Sequence, residues 1–368
     1  MQISNKINLG NFFEDFYINQ ELIHPLPRTI SSGDVSLYIG LTGSRFALHS
    51  SLEVAKDFGY EKIPLDDLLV FHLCFARSVQ DISLNALANL GYADIYFGKK
   101  VFVGDTISLK SKIIGLKENS NKKTGVVYVH SKGFNQKNEE VINLKRWVMI
   151  HKKNLDISSN INEVPKLGLE AEEKIKKSLE NKTIINIPKI KKINIDKTGG
   201  KYFFEDYQID ERLNHSQGFS IDNSSHTIAT NLYQNNAKVH FDSFLMSQTP
   251  NKKRLVYGGH IISLVRSICF NGFENAQNIY SINSGVHANP SFAGDTIYAF
   301  SEVLEKIDLK NRDDIGLLRI RSIGLKNQKS KEIENIFNDK NKYKENIVLD
   351  LDYTIIIPKK GQKNDTSK

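Results

Sequence analysis

The sequence predicts an α+β fold made of two copies of one unit, in which a curved antiparallel sheet wraps a central helix. Three observations lead to this prediction. The chain repeats itself at long range, each copy contains one apolar stretch of helical character, and each copy continues with several long runs rich in Val, Ile, Tyr and Phe. One helix accompanied by long antiparallel strands is typical of α+β domains.

The internal repeat rests on four landmarks that keep nearly one register. Three of them recur at an offset of 191 residues and the fourth at an offset of 190 residues. The matched pairs are FEDF at 13–16 with FEDY at 204–207, His24 with His215, Leu48-His49 with Val239-His240, and VFVGDTI at 101–107 with SFAGDTI at 291–297. Four ordered matches indicate a duplication, which has to be recognised before the fold is assigned.

Each copy follows the same order of elements. The helical stretch is LDDLLVFHLCFARSV at 65–79 in the first copy and GGHIISLVRSICF at 258–270 in the second. The runs predicted as strands, with Gly, Asp and Asn at their turns, occupy 92–116, 124–136, 140–153, 295–307, 316–327 and 346–359. The Asp105 and Asp295 carboxylates of the GDT pairs are expected to accept hydrogen bonds from their own turns.

The chain therefore divides into an N-terminal domain over 1–152, a linker over 153–200 and a C-terminal domain over 201–368. The linker is rich in Lys, Asn and Glu and poor in aromatic residues. A short solvated helix is predicted over 168–182, and the rest is interpreted as connection without chemistry.

Composition narrows the classes of protein and partner. The 368 residues match about two domains of 100–200 residues each, and 40% apolar residues suffice for real cores. The net charge of +8 comes from Lys spread along the chain, and no nucleic-acid-binding motif accompanies it. Cys74 and Cys269 lie in apolar runs without disulfide or metal spacing. With no secretory leader and no long apolar run, a cytoplasmic protein without nucleic-acid or membrane partners is expected.

The motifs resemble those of the MaoC-like dehydratases, which have the hot-dog fold. Their hydratase motif runs Ser/Thr-Gly-Asp-x-Asn-Pro-Leu-His, and two copies in one chain are similar to the double hot-dog type. Longer phrases in both halves, such as SLNALANLGYAD, LYQNNAKVHFD, YGGHIISL and FAGDTIYAFSEVLEK, are similar to the mesaconyl-CoA hydratases (β-methylmalyl-CoA dehydratases) within that family. The resemblance implies a tandem hot-dog fold with curved sheets on central helices.

The resemblance also implies a hydro-lyase that adds water reversibly, in the syn sense, to mesaconyl-CoA and yields β-methylmalyl-CoA. The partner is then an acyl-CoA thioester, and no cofactor is needed beyond the CoA of the substrate. Two alternatives stay open. The substrate is another branched enoyl-CoA, such as itaconyl-CoA or the C1-linked mesaconyl isomer, or the chain is a hot-dog module that binds acyl-CoA without catalysis. A homo-oligomer, with a dimer favoured, is expected in either case.

Placing the family motif on the second copy assigns the catalytic residues. His240 falls on the motif histidine and is predicted to be the acid/base. Asn235 falls on the aspartate position, where an amide cannot take up a proton but can hold a water or the acyl group. His240 would then carry more of the proton transfer, with Asp242 or His260 as possible assistants.

The glycine pair at the start of the second helical stretch is predicted to stabilise the enolate. Backbone N–H groups at a helix N-terminus are unpaired and favour an anion, and glycine lets the thioester approach the backbone closely. The amides of Gly258, Gly259 and His260 are the candidates.

The first copy is predicted to be non-catalytic and to shape the acyl-CoA tunnel. His49 takes the histidine position, but Ser44 stands at the aspartate position and no glycine pair opens the helix. The carboxylate and phosphates of the substrate call for cations, for which Arg45, Arg77, Lys238 and Arg266 are candidates and Lys238 is preferred for its position beside the motif. No metal-ligand set is found, and no nucleotide-binding motif either.

Overall fold

Two apolar helices lie against the inner face of one long antiparallel sheet in the computed structural model, which describes residues 6–168, 173, 187–309 and 311–362. The described helices are α1 Ser32–Thr42, α2 Leu52–Asp57, α3 Asp67–Arg77, α4 Ile195–Thr198, α5 Asn223–Tyr233, α6 Lys238–Phe241, α7 Ser243–Ser247 and α8 Gly258–Ile268. The central helices α3 and α8 begin 191 residues apart, which is the offset of the sequence repeat.

The sheet joins the two copies edge to edge. Its strands are β1 Glu21–Thr29, β2 Ala86–Phe97, β3 Thr106–Glu118, β4 Thr124–Phe134, β5 Glu140–His151, β6 Asn162–Glu163, β7 Arg212–Ser220, β8 Asn278–Val286, β9 Thr296–Asp308, β10 Ile315–Lys326 and β11 Ile347–Pro358. Their order is β1-β3-β4-β5-β2-β8-β11-β10-β9-β7, with β6 paired to β3. The second half of this order repeats the first in reverse, and the halves meet where β2 pairs antiparallel with β8.

The two halves share one core. All eleven residues of α3 and ten of the eleven in α8 are buried, so both helices are enclosed on every side. A single buried cluster contains side chains from both central helices and both half-sheets, including Phe71, Tyr92, Tyr233, Leu264 and Tyr353. The predicted α+β arrangement of curved sheet and central helices is confirmed.

The landmarks of the repeat prove to be structural pairs. The turns before β3 and β9 are closed by Asp105, which accepts from the Phe102 amide at 2.8 Å, and by Asp295, which accepts from the Phe292 amide at 2.9 Å. The two matched histidines make the same contact in each half. His24 Nε2 lies 2.7 Å from Ser111 Oγ, and His215 Nε2 lies 3.0 Å from Ser301 Oγ. The GDT prediction is confirmed, and both histidines lie outside the cavity described below.

Several elements were not predicted. Helices α1 and α5 lie in segments interpreted only as polar, and β1 and β7 at the two sheet edges each bury one residue of nine, so alternation was invisible. The interpretation of the linker as mere connection is wrong at its end. Ile190 and Ile193 pack into a core cluster with Phe58 and Ile315. The helix predicted over 168–182 falls almost wholly outside the described residues. No helix among the described residues is long and apolar enough to span a bilayer.

Candidate active site

The polar run YQNNAKVH is the loop between two helices, which explains its lack of an apolar period. Helix α5 ends at Tyr233, and Gln234 then takes a left-handed conformation with φ 57°. The Asn235 side-chain oxygen accepts a hydrogen bond from the Ala237 amide at 3.1 Å, so the loop turns tightly into α6. This turn brings Asn235 and His240 onto the wall of one cavity.

The His240 ring is fixed by one nitrogen and open at the other. Its Nδ1 lies 2.8 Å from the Leu255 carbonyl oxygen, so Nδ1 carries the proton. Among the described residues, Nε2 has no hydrogen-bond partner, and the neutral ring therefore keeps an unshared lone pair there. Burial lowers the pKa of His240 to about 4, which keeps the imidazole neutral near pH 7.

The cavity encloses about 220 Å³ and lies between the two halves of the chain. The C-terminal half contributes Asn235, His240, Tyr257, Gly258 and His287 to its wall. The N-terminal half contributes Phe75, Val79, Ser83, Asn89, Tyr92 and Arg146. Because much of the lining is apolar or aromatic, with a few convergent polar groups, the cavity has the character of a small-molecule site.

Helix α8 begins at the cavity with two glycines that cannot be replaced without a clash. A Cβ atom at Gly258 would lie 2.6 Å from the His287 ring, and one at Gly259 would lie 2.4 Å from the Tyr257 ring. No side chain caps this helix, so the Gly258 and Gly259 amides remain as donors. The His260 amide already donates to the Tyr257 carbonyl oxygen at 2.9 Å. Of these three residues only Gly258 lines the cavity.

The equivalent place in the N-terminal half is closed. His49 Nδ1 lies 3.1 Å from the Pro64 carbonyl oxygen, which repeats the contact of His240, but His49 Nε2 also lies 2.9 Å from the Gln277 carbonyl oxygen. At the start of α3, Asp67 and Leu68 take the positions of the two glycines, and Asp66 precedes them. Asp66 accepts from the Leu68 amide at 2.9 Å, and Asp67 accepts from the Ile279 amide at 2.9 Å. The two carboxylates would repel an anionic enolate there.

Three other candidates lie away from the cavity wall. Lys238 is exposed, and Asp242 caps α7 by accepting from the Leu245 amide at 2.8 Å. His260 is buried, with Nδ1 3.5 Å from the Tyr233 hydroxyl. The expectation that Lys238 binds the acyl carboxylate is not met by this geometry, because its neighbour Val239 lines the cavity and Lys238 does not.

The arginines considered from the sequence are also elsewhere, while another arginine lines the cavity. Arg45 is exposed over the Phe270 ring, and Arg266 donates to the Ala276 carbonyl oxygen. Arg146 was missed. Its strand β5 alternates Ile142, Leu144, Arg146, Val148 and Ile150 at inward positions, and a charge in that apolar alternation was the available signal. Asn89, Tyr92 and His287 had no local signal, because sheet pairing brings them to the cavity.

The N-terminal half holds in place the segment 234–240, which joins α5 to His240 and is called the His240 loop here. Arg77, at the end of α3, donates to the Leu26 carbonyl oxygen at 2.9 Å and to both the Tyr233 carbonyl and the Gln234 side-chain oxygens. The side-chain nitrogen of Asn236, Nδ2, donates to Gln80 Oε1 at 2.5 Å. Since Arg77 and Gln80 do not line the cavity, they act on the site only through the position of the loop.

Replacing Arg77 with Met is therefore expected to lower kcat by roughly 10- to 100-fold, because small displacements of positioned groups are costly. The pH profile of kcat/KM should keep its shape, since no ionising group of the cavity changes. Steady-state kinetics across pH and a thermal melt check this. Arg45→Met, on an exposed arginine, is the matched control and should leave kcat unchanged; a normal kcat in folded Arg77→Met would contradict the positioning role.

Comparison with known proteins adds sequence relatives to this geometry. A profile of the family named mesaconyl-CoA hydratase matches residues 2–334. A β-methylmalyl-CoA dehydratase of Chloroflexus aurantiacus is 46% identical over 359 residues, covering 98% of this chain and all of the relative. A mesaconyl-CoA hydratase of Cereibacter sphaeroides is 41% identical over 356 residues, covering 96% of this chain and all of that protein.

Solved structures agree with the fold. The crystal structure of a MaoC domain dehydratase from Chloroflexus aurantiacus superposes with a TM-score of 0.89 at 45% identity and covers 97% of this chain and all of that one. A Mycobacterium tuberculosis protein with a double hotdog fold superposes with a TM-score of 0.70 at 20% identity, covering 95% of this chain and 98% of its own. The second likeness concerns the fold alone, and it matches the tandem hot-dog arrangement implied by the family resemblance.

Proposed function

Because the chain belongs to the mesaconyl-CoA hydratase family and is a hydro-lyase of that type, we propose that it adds water reversibly to mesaconyl-CoA, giving β-methylmalyl-CoA, with His240 as the acid/base. The observation that carries the assignment of His240 is its two unequal nitrogens. The Leu255 carbonyl oxygen holds Nδ1–H, and Nε2 keeps a lone pair without a partner among the described residues, on a ring that lines the cavity.

The reaction needs one proton to leave water and one to reach carbon. Nε2 of His240 takes a proton from the water while the water oxygen bonds to the carbon β to the thioester. The electron pair of the double bond moves onto the thioester carbonyl and forms an enolate. The imidazolium then returns its proton from Nε2 to the α carbon, and the enolate collapses to the thioester. One histidine on one face of the alkene accounts for syn addition.

Asn235 and the glycine amides hold the oxygens of this reaction. Because the Asn235 oxygen already accepts from the Ala237 amide, its Nδ2 group is the one assigned to donate to the water oxygen. The Gly258 amide, with Gly259 behind it, donates to the thioester oxygen as it gains charge, and the N-terminus of α8 favours that charge. The His260 amide is left out of this role, because it is already bonded to Tyr257.

We assign the N-terminal half a structural part in the site. The carbonyl oxygens that face both ring nitrogens of His49 and the carboxylates at the start of α3 support this assignment. That half still supplies one wall of the cavity and holds the His240 loop through Arg77.

A panel of CoA esters tests the proposal. Purified protein is expected to remove the unsaturated thioester absorbance of mesaconyl-CoA faster than that of itaconyl-CoA, with the two mesaconyl isomers assayed separately. Formation of β-methylmalyl-CoA is followed by chromatography, and the reverse reaction is run from that product. Tight binding of every ester with turnover of none would overturn the proposal and favour a binding module.

A further inference from the structure

We propose that Arg146 and Asn89 form the subsite for the free carboxylate of the acyl group. This proposal rests on the proposed function, because the subsite is one end of the same cavity. Both side chains line the cavity, and both come from the N-terminal half. The half without the acid/base would thus select the anionic substrate that the C-terminal half converts.

Arg146 is a buried cation without a buried counter-ion. Only 1% of it is exposed. Its Nη1 donates to Asn89 Oδ1 at 3.3 Å, and its Nη2 donates to Ser78 Oγ at 3.0 Å and Ser83 Oγ at 3.3 Å. Its Nε has no partner, and no carboxylate among the described residues is within ion-pair distance. Uncompensated buried charge is costly, so a ligand anion is the expected complement.

Among the described residues, the lysines with little exposure have carboxylate partners, whereas two other buried arginines have neutral partners. Each of three lysines with little exposure is paired with a carboxylate: Lys100 with Asp67, Lys145 with Asp94 and Lys152 with Glu118. Arg77, at the end of α3, donates to the Leu26 and Tyr233 carbonyl oxygens, and Arg266, near the end of α8, donates to the Ala276 carbonyl oxygen. Neither arginine lines the cavity. Arg146 differs from both groups, since its partners are hydroxyls and an amide.

The surroundings of Arg146 prepare it for a planar anion. Its guanidinium lies over the Phe75 ring with its central carbon 4.4 Å from the ring centroid, which holds the donor fork in one orientation. Ser78 and Ser83 lie at the two ends of a π-helical turn over Val79–Ser83, a rare conformation that is often found at functional sites. The Asn89 Nδ2 group is buried without a partner and adds a further donor beside the guanidinium.

The fold itself does not require this arginine. The corresponding strand of the other half, β11, buries Leu349, Leu351, Tyr353 and Ile355 at alternate positions of its inner face. Of the two strands, therefore, only β5 places an arginine, Arg146, on the inner face, and that arginine lines the His240 cavity. A carboxylate held there leaves the thioester end of the acyl group for Gly258.

The test compares esters with and without the carboxylate. Tiglyl-CoA carries a methyl group in place of the free carboxylate of the C1-linked mesaconyl ester. Arg146→Gln is expected to lower kcat/KM for the C1-linked mesaconyl ester, the isomer that tiglyl-CoA matches, by about 100-fold while changing that for tiglyl-CoA by less than about threefold. Arg146→Lys should recover part of the loss, and Asn89→Ala should show a smaller loss in the same direction. Arg212→Gln is the matched control, because Arg212 also stacks on a ring, 3.7 Å from the Phe300 centroid, outside the cavity.

Binding measurements separate this proposal from the proposed function. In a His240→Gln background, Arg146→Gln should weaken binding of mesaconyl-CoA about 100-fold and leave tiglyl-CoA binding unchanged, whether or not the parent protein turns over either ester. Equal changes for both esters in folded Arg146→Gln and Asn89→Ala would overturn the carboxylate subsite. If the parent protein turned over neither ester but Arg146→Gln still weakened binding of mesaconyl-CoA more than binding of tiglyl-CoA, only the hydratase proposal would be overturned.

Discussion

Replacing His240 with Ala is expected to lower kcat for hydration by about 10²- to 10⁴-fold, the range for loss of a positioned acid/base. The physical reason is that no other cavity side chain offers a lone pair fixed in the same way. His287, the other cavity histidine, directs its Nε2 to the Tyr92 hydroxyl at 3.2 Å. Folding should be retained, because His240 lies on the wall of a cavity and Ala leaves its loop in place. Steady-state kinetics with mesaconyl-CoA and a thermal melt measure both quantities.

His49→Ala is the matched control for that variant, since the same landmark of the repeat is changed in the other half. A neutral imidazole has one N–H, so one ring nitrogen of His49 donates to the Pro64 or the Gln277 carbonyl oxygen, and its loss should destabilise the fold by about 1–3 kcal/mol. The kcat of the folded fraction should stay within about threefold of the parent value. That change is much smaller than the loss expected when a general acid/base is removed, as in His240→Ala. Equal losses of kcat in the two variants would refute the division of labour.

The pH dependence follows from the same ring. Protonated His240 has no lone pair, and burial lowers its pKa to about 4, so kcat/KM should be flat near neutral pH and fall as pH approaches that value. The same shift makes the fold less stable in acid. Because the unfolded ring binds its proton near its ordinary pKa of 6.5, the stability from neutral His240 is complete above that pH and is lost as pH falls towards about 4. A kinetic pKa near 6.5 assigned to His240 would contradict the buried, neutral imidazole.

Gly258→Ala is expected to lower kcat by about 10²- to 10³-fold, the range for loss of one oxyanion donor. The added methyl group would lie 2.6 Å from the His287 ring, which is itself held by Tyr92. The start of α8 has to shift, and the Gly258 amide then no longer points at the developing charge. The loss should fall mainly on kcat, because the donor stabilises the enolate more than the ground-state thioester. Single-turnover kinetics with mesaconyl-CoA distinguish a slower chemical step from slower substrate binding.

Gly40→Ala is the control for the glycine substitution. Gly40 lies on α1, exposed, with no atom within 4 Å of a Cβ built there. The change should stabilise the protein by about 0.5–1 kcal/mol through helix propensity and leave kcat unchanged. A normal kcat in folded Gly258→Ala would remove the α8 N-terminus from the reaction.

The duplication, the two central helices and the longer strands could all be predicted, because each is written in local residue patterns. The family resemblance drawn from the motifs is confirmed by the matching profile and relatives. Asn235, His240 and Gly258 were found because a short motif carries them, and all three line the cavity. The edge strands β1 and β7 were not predicted, because each buries one residue of nine and therefore shows no alternation of apolar and polar residues.

Residue order alone thus established a tandem chain with one candidate acid/base in its second copy, because repeats and motifs are local features. Tertiary structure alone decided which histidine nitrogen is open, since that depends on the Leu255 carbonyl for His240 and on the distant Gln277 carbonyl for His49. It also brought Arg146 and Asn89 of one half to the cavity of the other, through the pairing of β2 with β5 and β8. Contacts of this kind join residues far apart in the chain, and no short stretch of sequence encodes them.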